Sequence, residues 1–298
     1  MKGALSDRLK LATRGSRLAL AQARLVADAL GGAEVVPVGS SEGEPGDKER
    51  FVRGVGRAVL DGDADLAVHS AKDLPGDRPD ELKLVGVCAR EDPADAYVGE
   101  ASALDDVPER ARVGTASLRR RSELLALRPD LDVVELHGNV DTRLGKLSEG
   151  ELDGLVLAAA GLRRLDREAQ IAFVFGLEDL TPAAGQGSLA LEARRDDAGA
   201  AAAAAAISDH DALVELTAER AAVVTLQATC HTPVGICARL DGEELTLRGF
   251  AGLPDGSEWV RDRVTGHAEQ PAALGQALAE RLLAAGAGQI LERAEALP

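Results

Sequence analysis

Apolar positions in the first 75 residues alternate between short runs and helical spacing. The runs 9–12, 34–38 and 66–68 predict buried strands, with a Gly- and acid-rich loop at 39–47. Two helices are predicted between the strands. The first is capped by Ser16 and the second lies beyond the loop, with apolar positions at Leu18, Leu25, Val26, Ala29 and Leu30, and at Phe51, Val52, Val55 and Val59. Strands that alternate with helices indicate βαβ units on a largely parallel sheet.

A second unit repeats this plan from Tyr97 onward. It has strands at 112–113 and 133–136 joined by a helix, and an apolar strand at 188–192 precedes an alanine run at 200–206. The pattern changes at Asp211. A helix to Leu226, three short strands and a final amphipathic helix predict a small, separate α+β domain.

Composition limits the possible partners. The 298 residues suffice for two or three domains, and 50 acidic residues against 34 basic ones give a formal charge of −16. Such a surface repels nucleic acid phosphates, and only 2% of residues are aromatic, so we expect no nucleic-acid partner. The acid excess is also typical of proteins adapted to high salt, a hypothesis that unfolding measured against salt concentration would test.

The chain carries no apolar signal core at 1–10 and no run near the roughly 18 apolar residues of a membrane span. We therefore expect a cytoplasmic protein with no membrane partner. Three cysteines without framework spacing fit a reducing compartment, and Cys88 and Cys237 are expected to be small buried residues. Cys230, His231 and Cys237 lack zinc-site spacing, so no metal is predicted.

A turn at 114–117 joins a strand to a helix and brings Thr115 and Ser117 close to three arginines at 119–121. Guanidinium groups in the first helical turn oppose the helix dipole, so an incoming carboxylate or phosphate would relieve the conflict. The alternative is a solvated basic face paired with Glu123 and other surface acids. The residues alone leave both interpretations open.

Weaker candidates follow along the chain. Arg143 opens a predicted helix, Arg163 and Arg164 follow an apolar strand, and a flexible turn at 185–187 allows close approach to a ligand. The segment 54–59 begins like a dinucleotide fingerprint, but it lies inside a predicted helix and lacks the final glycine, so that function is rejected.

Two loops could carry chemistry. The segment 69–75 ends a buried strand with Lys72 and Asp73, and α/β proteins place their ligands at the carboxyl ends of parallel strands. Asp73 is therefore a candidate acid/base group, with a turn-capping role as the alternative. Cys230 lies in a loop at 229–235, where a thiol is better placed for covalent chemistry than in a core strand.

Taken in order, five segments resemble the porphobilinogen deaminase family over essentially the whole chain: 12–20, 69–75, 114–120, 183–187 and the loop at Cys230. The resemblance implies an α/β fold with two type II periplasmic-binding-protein-like domains, the active site between them, and a small α+β C-terminal domain. The expected domains are 1–90 with 188–206, 93–184 and 210–298. The family also implies a monomer.

The resemblance further implies a transferase of tetrapyrrole (haem) biosynthesis. Four porphobilinogens are condensed head to tail onto a dipyrromethane cofactor, held by Cys230 as a thioether, with release of ammonia and hydroxymethylbilane. Each pyrrole carries an acetate and a propionate, which require guanidiniums and helix N-termini. The implied carboxylate-binding residues are Arg14, Ser16, Lys72, Thr115, Ser117, Arg119, Arg120, Arg143 and Arg164. Asp73 is the implied catalytic carboxylate, which stabilises the cation left by ammonia, and Gln186 supports it.

The sequence departs from the family at several positions. His137 replaces an arginine and offers no bidentate fork, Lys48 lies in an altered loop, and Ala228 and Thr229 replace glycines. Lys48 and His137 are kept as further candidates. The alternative function is a two-lobed protein that binds small carboxylates or oxyanions without catalysis. A pyrrole unit attached to Cys230 would distinguish the two.

Overall fold

The computed structural model describes residues 8–39, 48–75, 79–229 and 232–296. In chain order its strands and helices are β1 (Lys10–Arg14), α1 (Arg17–Ala29), β2 (Glu34–Val38), α2 (Lys48–Leu60), β3 (Leu66–Ser70), β4 (Leu82–Val87), β5 (Asp95–Gly99), β6 (Arg112–Thr115), α3 (Leu118–Leu127), β7 (Asp132–Glu135), α4 (Val140–Ser148), β8 (Gly154–Ala158), α5 (Ala159–Arg163), β9 (Phe173–Val174), β10 (Leu189–Arg194), α6 (Ala198–Ala206), α7 (His210–Thr225), β11 (Val234–Asp241), β12 (Glu244–Gly252), β13 (Trp259–His267), α8 (Pro271–Ala284) and α9 (Ala287–Glu295).

Two five-stranded sheets share one topology. Their strand orders are β2-β1-β3-β10-β4 and β7-β6-β8-β5-β9. In each sheet the first three strands are parallel, and the fourth is antiparallel to both of its neighbours. Helices between the strands confirm the predicted α/β class.

The chain enters the fourth strand of each sheet directly from the other sheet, with β5 following β4 and β10 following β9. The segments 88–94 and 175–188 therefore cross between the sheets, and they lie side by side, because the Glu91 N–H donates to the Gly187 carbonyl at 3.2 Å. This double crossing holds the carboxyl ends of β3 and β6 on facing sides of one cleft.

The buried face of α1 differs from the predicted one. Of the five predicted core positions only Val26 is buried, and Leu25 is 53% exposed. The core face consists instead of Ala19, Gln22, Ala23, Val26 and Ala27. This face is rotated by roughly 70° around the helix from the leucine stripe, since each residue advances about 100°. Small alanine side chains allow α1 to pack closely on the sheet.

Other local predictions are confirmed with shifted bounds. The first strand continues to Arg14, residues 114–115 belong to β6 rather than to the turn, and the alanine run forms α6. The rejected dinucleotide segment lies inside α2. Cys237 is fully buried as expected, whereas Cys88 is only half-buried.

The C-terminal part is an antiparallel sheet of three strands, β11-β12-β13, with α7 and α8 packed against it. Its core includes Ile236, Leu245, Leu247, Leu278 and Leu282, all with no exposed surface. The predicted α+β arrangement is confirmed. The single final helix of the prediction is two helices, α8 and α9, separated at Gly286, whose φ is +104°. No helix in the described ranges is both long enough and apolar enough to span a membrane.

Candidate active site

A cavity of about 1090 Å³ opens in the cleft, and residues from all three parts of the fold line it. Lys72 and Asp73 contribute from the first sheet, Ser117 and Arg143 from the second, and Thr229 from the C-terminal part. A concave site with several convergent polar groups is typical of a small-molecule site. The strand-end loops predicted to carry chemistry thus meet at one place.

The Asp73 turn is held by backbone hydrogen bonds. A 3-10 turn, Ala71–Asp73, follows the buried strand β3 directly, and the Leu74 N–H donates to the Ala71 carbonyl at 3.2 Å. The Ala71 N–H donates to Ser188 O at 3.0 Å, which ties the turn to the second crossing segment. Asp73 ends the turn, half-buried, at the cavity wall.

Lys72 and Gln186 are joined across the base of the cleft. The ammonium Nζ of Lys72 donates to Gln186 Oε1 at 3.1 Å. The amide Nε2 of Gln186 donates to the Pro93 carbonyl at 2.6 Å and to Asp95 Oδ1 at 2.7 Å. Gln186, 1% exposed, thus connects the Asp73 turn to both crossing segments.

Three helix starts have side-chain caps, and the cap predicted at Ser16 is confirmed. The hydroxyl of Ser16 accepts the Ala19 N–H at 3.3 Å, and that of Ser117 accepts the Arg120 N–H at 3.4 Å. Asn139 caps α4 by accepting from Thr142 N at 2.9 Å. Of the three residues only Ser117 lines the cavity, so its helix start is the one that presents positive potential there.

Arg119 and Arg120 line the cavity but are 3% and 6% exposed, so the solvated-face interpretation is wrong. Their shared partner is Asp95 at the start of β5. Arg119 Nη2 lies 2.8 Å from Asp95 Oδ2, and Arg120 donates from Nε and Nη2 to Asp95 Oδ1 at 3.0 and 2.7 Å. Arg119 also pairs with the buried Glu123 at 3.1 Å. A carboxylate of the chain itself therefore relieves the conflict with the helix dipole.

Electrostatics keep Asp95 ionised although it is fully buried. Burial alone raises the pKa of a carboxyl group, but the charges of Arg119 and Arg120 outweigh burial and hold the pKa of Asp95 well below its ordinary value. Burial dominates at Glu123, whose pKa rises to about 7. Asp95 is the fixed anion of this cluster.

Arg143 is the least compensated cation of the cavity wall. Burial, and then the positive charge of Arg120, lower the pKa of its guanidinium to about 10. Its Nε is buried, with no hydrogen-bond partner among the described residues. An anionic group in the cavity would supply that partner and restore the ordinary pKa.

Several predicted residues lie away from the cavity lining. Arg14, Ser16, Thr115, Arg164 and His137 do not line it. Arg164 donates to the Gly187 carbonyl at 2.6 Å, and the exposed His137 Nε2 lies 2.8 Å from Glu135 Oε1. Lys48 begins α2, but its side chain is outside the described part. The predicted carboxylate contacts of these residues stay predictions.

Cys230 and His231 lie outside the described residues, but their neighbours lie at the cavity. Thr229 and Thr232 both line it. The Thr229 N–H donates to Thr232 Oγ1 at 2.8 Å, and the Thr232 N–H donates to Thr229 O at 3.2 Å. These two hydrogen bonds join the described residues on either side of 230–231 at the cavity wall. Within the described ranges, no three His, Cys, Asp or Glu residues are grouped to hold a metal ion.

Sequence reasoning missed a second buried ion cluster beneath the cleft. Arg90 Nη1 lies 2.9 Å from Glu215 Oε2 and 2.8 Å from Glu219 Oε1, and Arg90 Nε donates to Gln186 O at 2.9 Å. Glu219, fully buried, accepts the Gly185 N–H at 2.6 Å. The available signal was two acids four residues apart on the apolar face of α7.

A two-lobed fold with a cationic cleft is typical of proteins that bind an anionic ligand between the lobes. The chain matches the dipyrromethane cofactor binding domain of porphobilinogen deaminase over residues 9–202, and the C-terminal domain of porphobilinogen deaminase over residues 213–284. It is 40% identical to the porphobilinogen deaminase of Campylobacter concisus (strain 13826), over 96% of this chain and 98% of the relative. The chain therefore belongs to the porphobilinogen deaminase family.

Solved structures give a weaker similarity. The VFT2 domain of BvgS from Bordetella pertussis is 18% identical, with 68% of this chain and 87% of that chain covered and a TM-score of 0.39. A TRAP solute binding protein from a marine metagenome, specific for aromatic acid ligands, is 12% identical over 67% of this chain and 74% of that chain, with a TM-score of 0.40.

Proposed function

We propose that this chain is a porphobilinogen deaminase, a transferase that joins four porphobilinogens head to tail onto dipyrromethane and releases ammonia and hydroxymethylbilane. Family membership supports the reaction. The observation that carries it is that Asp73, several cations, and Thr229 and Thr232 on either side of 230–231 line one cavity. Dipyrromethane, when bound through Cys230, supplies the pyrrole carbon to which the first porphobilinogen is joined.

The residues present fit such a group. It carries carboxylates, and the cavity offers the uncompensated guanidinium of Arg143, the ammonium of Lys72 and the helix start at Ser117. Arg143 stays protonated at neutral pH because its lowered pKa is still about 10. We assign Lys72 and Arg143 direct contacts with carboxylates. Arg119 and Arg120, which are paired with Asp95, add positive potential at the cavity wall.

Asp73 is the proposed catalytic carboxylate. Ammonia leaves porphobilinogen with the electron pair of the C–N bond, and the pyrrole that remains is positively charged. A carboxylate at the cavity wall accepts the pyrrole N–H hydrogen bond and stabilises that charge. The ring carbon of a second pyrrole attacks the cationic methylene carbon, and after the new C–C bond forms that attacking carbon must lose its proton, which Asp73 is placed to receive.

The alternative, a binding protein for small carboxylates, makes no use of a thiol at 230. Intact mass measurement decides between the two. We expect the purified protein to exceed the sequence mass by one dipyrromethane unit, and Cys230→Ser to lose that excess while Cys88→Ser keeps it. A bare polypeptide that still makes hydroxymethylbilane would overturn the proposed attachment.

The role of Asp73 has its own test. We expect Asp73→Asn to keep the added mass while kcat falls by roughly 10²- to 10⁴-fold, the usual contribution of a positioned acid/base group. Asp63→Asn, at an exposed residue outside the cavity, should have the turnover of the unchanged protein. Near-normal product formation by Asp73→Asn would exclude the proposed role.

The remaining assignments are also proposals. We propose that the three sheets mark the three expected domains and that the protein works as a monomer in the cytoplasm, without nucleic acid or membrane. The free thiols of Cys88 and Cys237 fit a reducing compartment. The charge of −16 fits the absence of polyanionic partners.

A further inference from the structure

Helix α7 contacts the Asp73 turn directly, although it belongs to the C-terminal part of the chain. Ala212 and Leu216 of α7 share one buried apolar cluster with Ala71 and Leu74, which flank Lys72 and Asp73. The turn therefore rests on the first half of this helix. Close packing of this kind transmits small displacements of one element to the other.

Two consecutive residues of α7 continue this contact with polar groups. Arg220 Nη2 donates to the Pro75 carbonyl at 3.0 Å, two residues beyond Asp73. Glu219 accepts the N–H of Gly185, a glycine at φ +74° on which a Cβ would lie 2.8 Å from the Ala71 carbonyl carbon. Helix α7 is thus bonded to the end of the turn through Arg220. Through Glu219 it is also bonded to Gly185, which packs closely against Ala71 at the start of the turn.

The same helix leads into the thiol loop. It ends at Thr225, and the Ala228 N–H donates to Val223 O at 3.0 Å, so the chain stays bonded to the last helical turn. Thr229, which follows in the chain, is hydrogen-bonded to Thr232. Nine residues, 221–229, separate Arg220 from Cys230 in the chain.

We infer that Arg220 is a positioning residue, which fixes the Asp73 turn on helix α7. The inference rests on the proposed function. Its physical basis is that α7 shares an apolar cluster with the turn. The guanidinium of Arg220 adds a polar link from α7 to the end of the turn, at the Pro75 carbonyl. A displacement of about 1 Å at a reacting group can cost on the order of 100-fold in rate, so loss of this link should be visible in turnover.

The experiment compares Arg220→Gln, Arg220→Lys and the control Arg195→Gln. Arg195 also donates to a loop carbonyl, Asp80 O at 2.7 Å, but it lies outside the cavity. For each protein we would measure the dipyrromethane mass, the melting temperature, and kcat and KM for porphobilinogen. We expect Arg220→Gln to keep the added mass and its KM while kcat falls roughly 10- to 100-fold. Arg220→Lys, which retains a charged donor, should recover part of that loss, and the control should show none.

The kinetic split separates this role from others. A raised KM with unchanged kcat would mean that Arg220 binds substrate directly, and unchanged kinetics would mean that it positions nothing; either result overturns the inference. A fall in activity matched by an equal fall in the cofactor-bearing, folded fraction would reduce Arg220 to a structural residue. If Arg220→Gln does not fold, Arg220→Lys is judged by the same split. If the protein without any substitution carries no added mass and has no turnover, the proposed function itself is refuted.

Discussion

Replacing Asp95 by asparagine tests the buried cluster behind the cavity. Asp95 accepts from Arg119, twice from Arg120 and once from Gln186. The substitution keeps the shape of the side chain but removes its charge and turns one acceptor into a donor. Arg119 keeps Glu123 as a partner, whereas among the described residues Arg120 keeps two neutral hydrogen-bond partners, the Val156 carbonyl and the Gln186 amide.

The expected loss of unfolding free energy is large because the cluster is buried. Removing one partner from a buried ion pair costs about 3–5 kcal/mol, since the remaining charge stays buried without compensation. Asp262→Asn is the matched control: Asp262 also accepts two hydrogen bonds from one arginine, Arg281, at 2.7 and 2.9 Å, but this pair is largely exposed. Exposed pairs contribute little, so the control should lose far less.

Urea unfolding at pH 7 and pH 3 is the assay. The folded-state pKa of Asp95 lies below its unfolded value of about 3.9, so its stabilisation is present above that pH and is lost as the pH falls. We therefore expect Asp95→Asn to lose about 3–5 kcal/mol of unfolding free energy at pH 7 and to show a smaller difference from the unchanged protein at pH 3. A loss equal to that of Asp262→Asn, or a difference that grows at low pH, would refute this electrostatic account.

Two further predictions concern the junction of the lobes. Gly185→Ala places a Cβ 2.8 Å from the Ala71 backbone, so it should reduce both stability and turnover. Gly31→Ala is the control, because Gly31 has a similar φ but open space around it, and it should cost less stability. Equal melting temperatures and full activity would contradict the clash. Arg17 Nη1 lies 2.9 Å from Asp141 Oδ2 across the cleft in an exposed ion pair, so Arg17→Gln should lower the melting temperature slightly at low salt and not at 1 M salt. A salt-independent effect would contradict that prediction.

Local signals in the sequence predicted much of the fold. Alternation of apolar runs with helical spacing located six of the ten strands of the two large sheets, β1, β2, β3, β6, β7 and β10, and Ser16 and Ser117 marked two helix starts. These features depend on residues within a few positions of each other, so a single sequence reveals them. The face of α1 was misjudged because leucines outweighed alanines in the pattern, whereas close packing on the sheet favoured the smaller side chains.

Long-range pairing was beyond the same reasoning. The conflict at Arg119 and Arg120 was visible in the sequence, but nothing in the spacing identified Asp95, which looks like an ordinary acid at the edge of an apolar strand. Arg220 gave no signal either, because its partner is a backbone carbonyl 145 positions away. Lys72, Asp73, Ser117 and Arg143 could be predicted as site residues because each follows a strand end or a helix start.

The double crossing between the two large sheets also affects the order in which the sheets can fold during synthesis. All strands of the second sheet lie within residues 95–174, whereas β10, inserted between β3 and β4, emerges from the ribosome only afterwards. Until then β3 has an unpaired edge, a surface on which nascent chains aggregate. The half of the protein translated first is therefore among the last to become native, and chains released before Leu189 cannot form its central strand pairing.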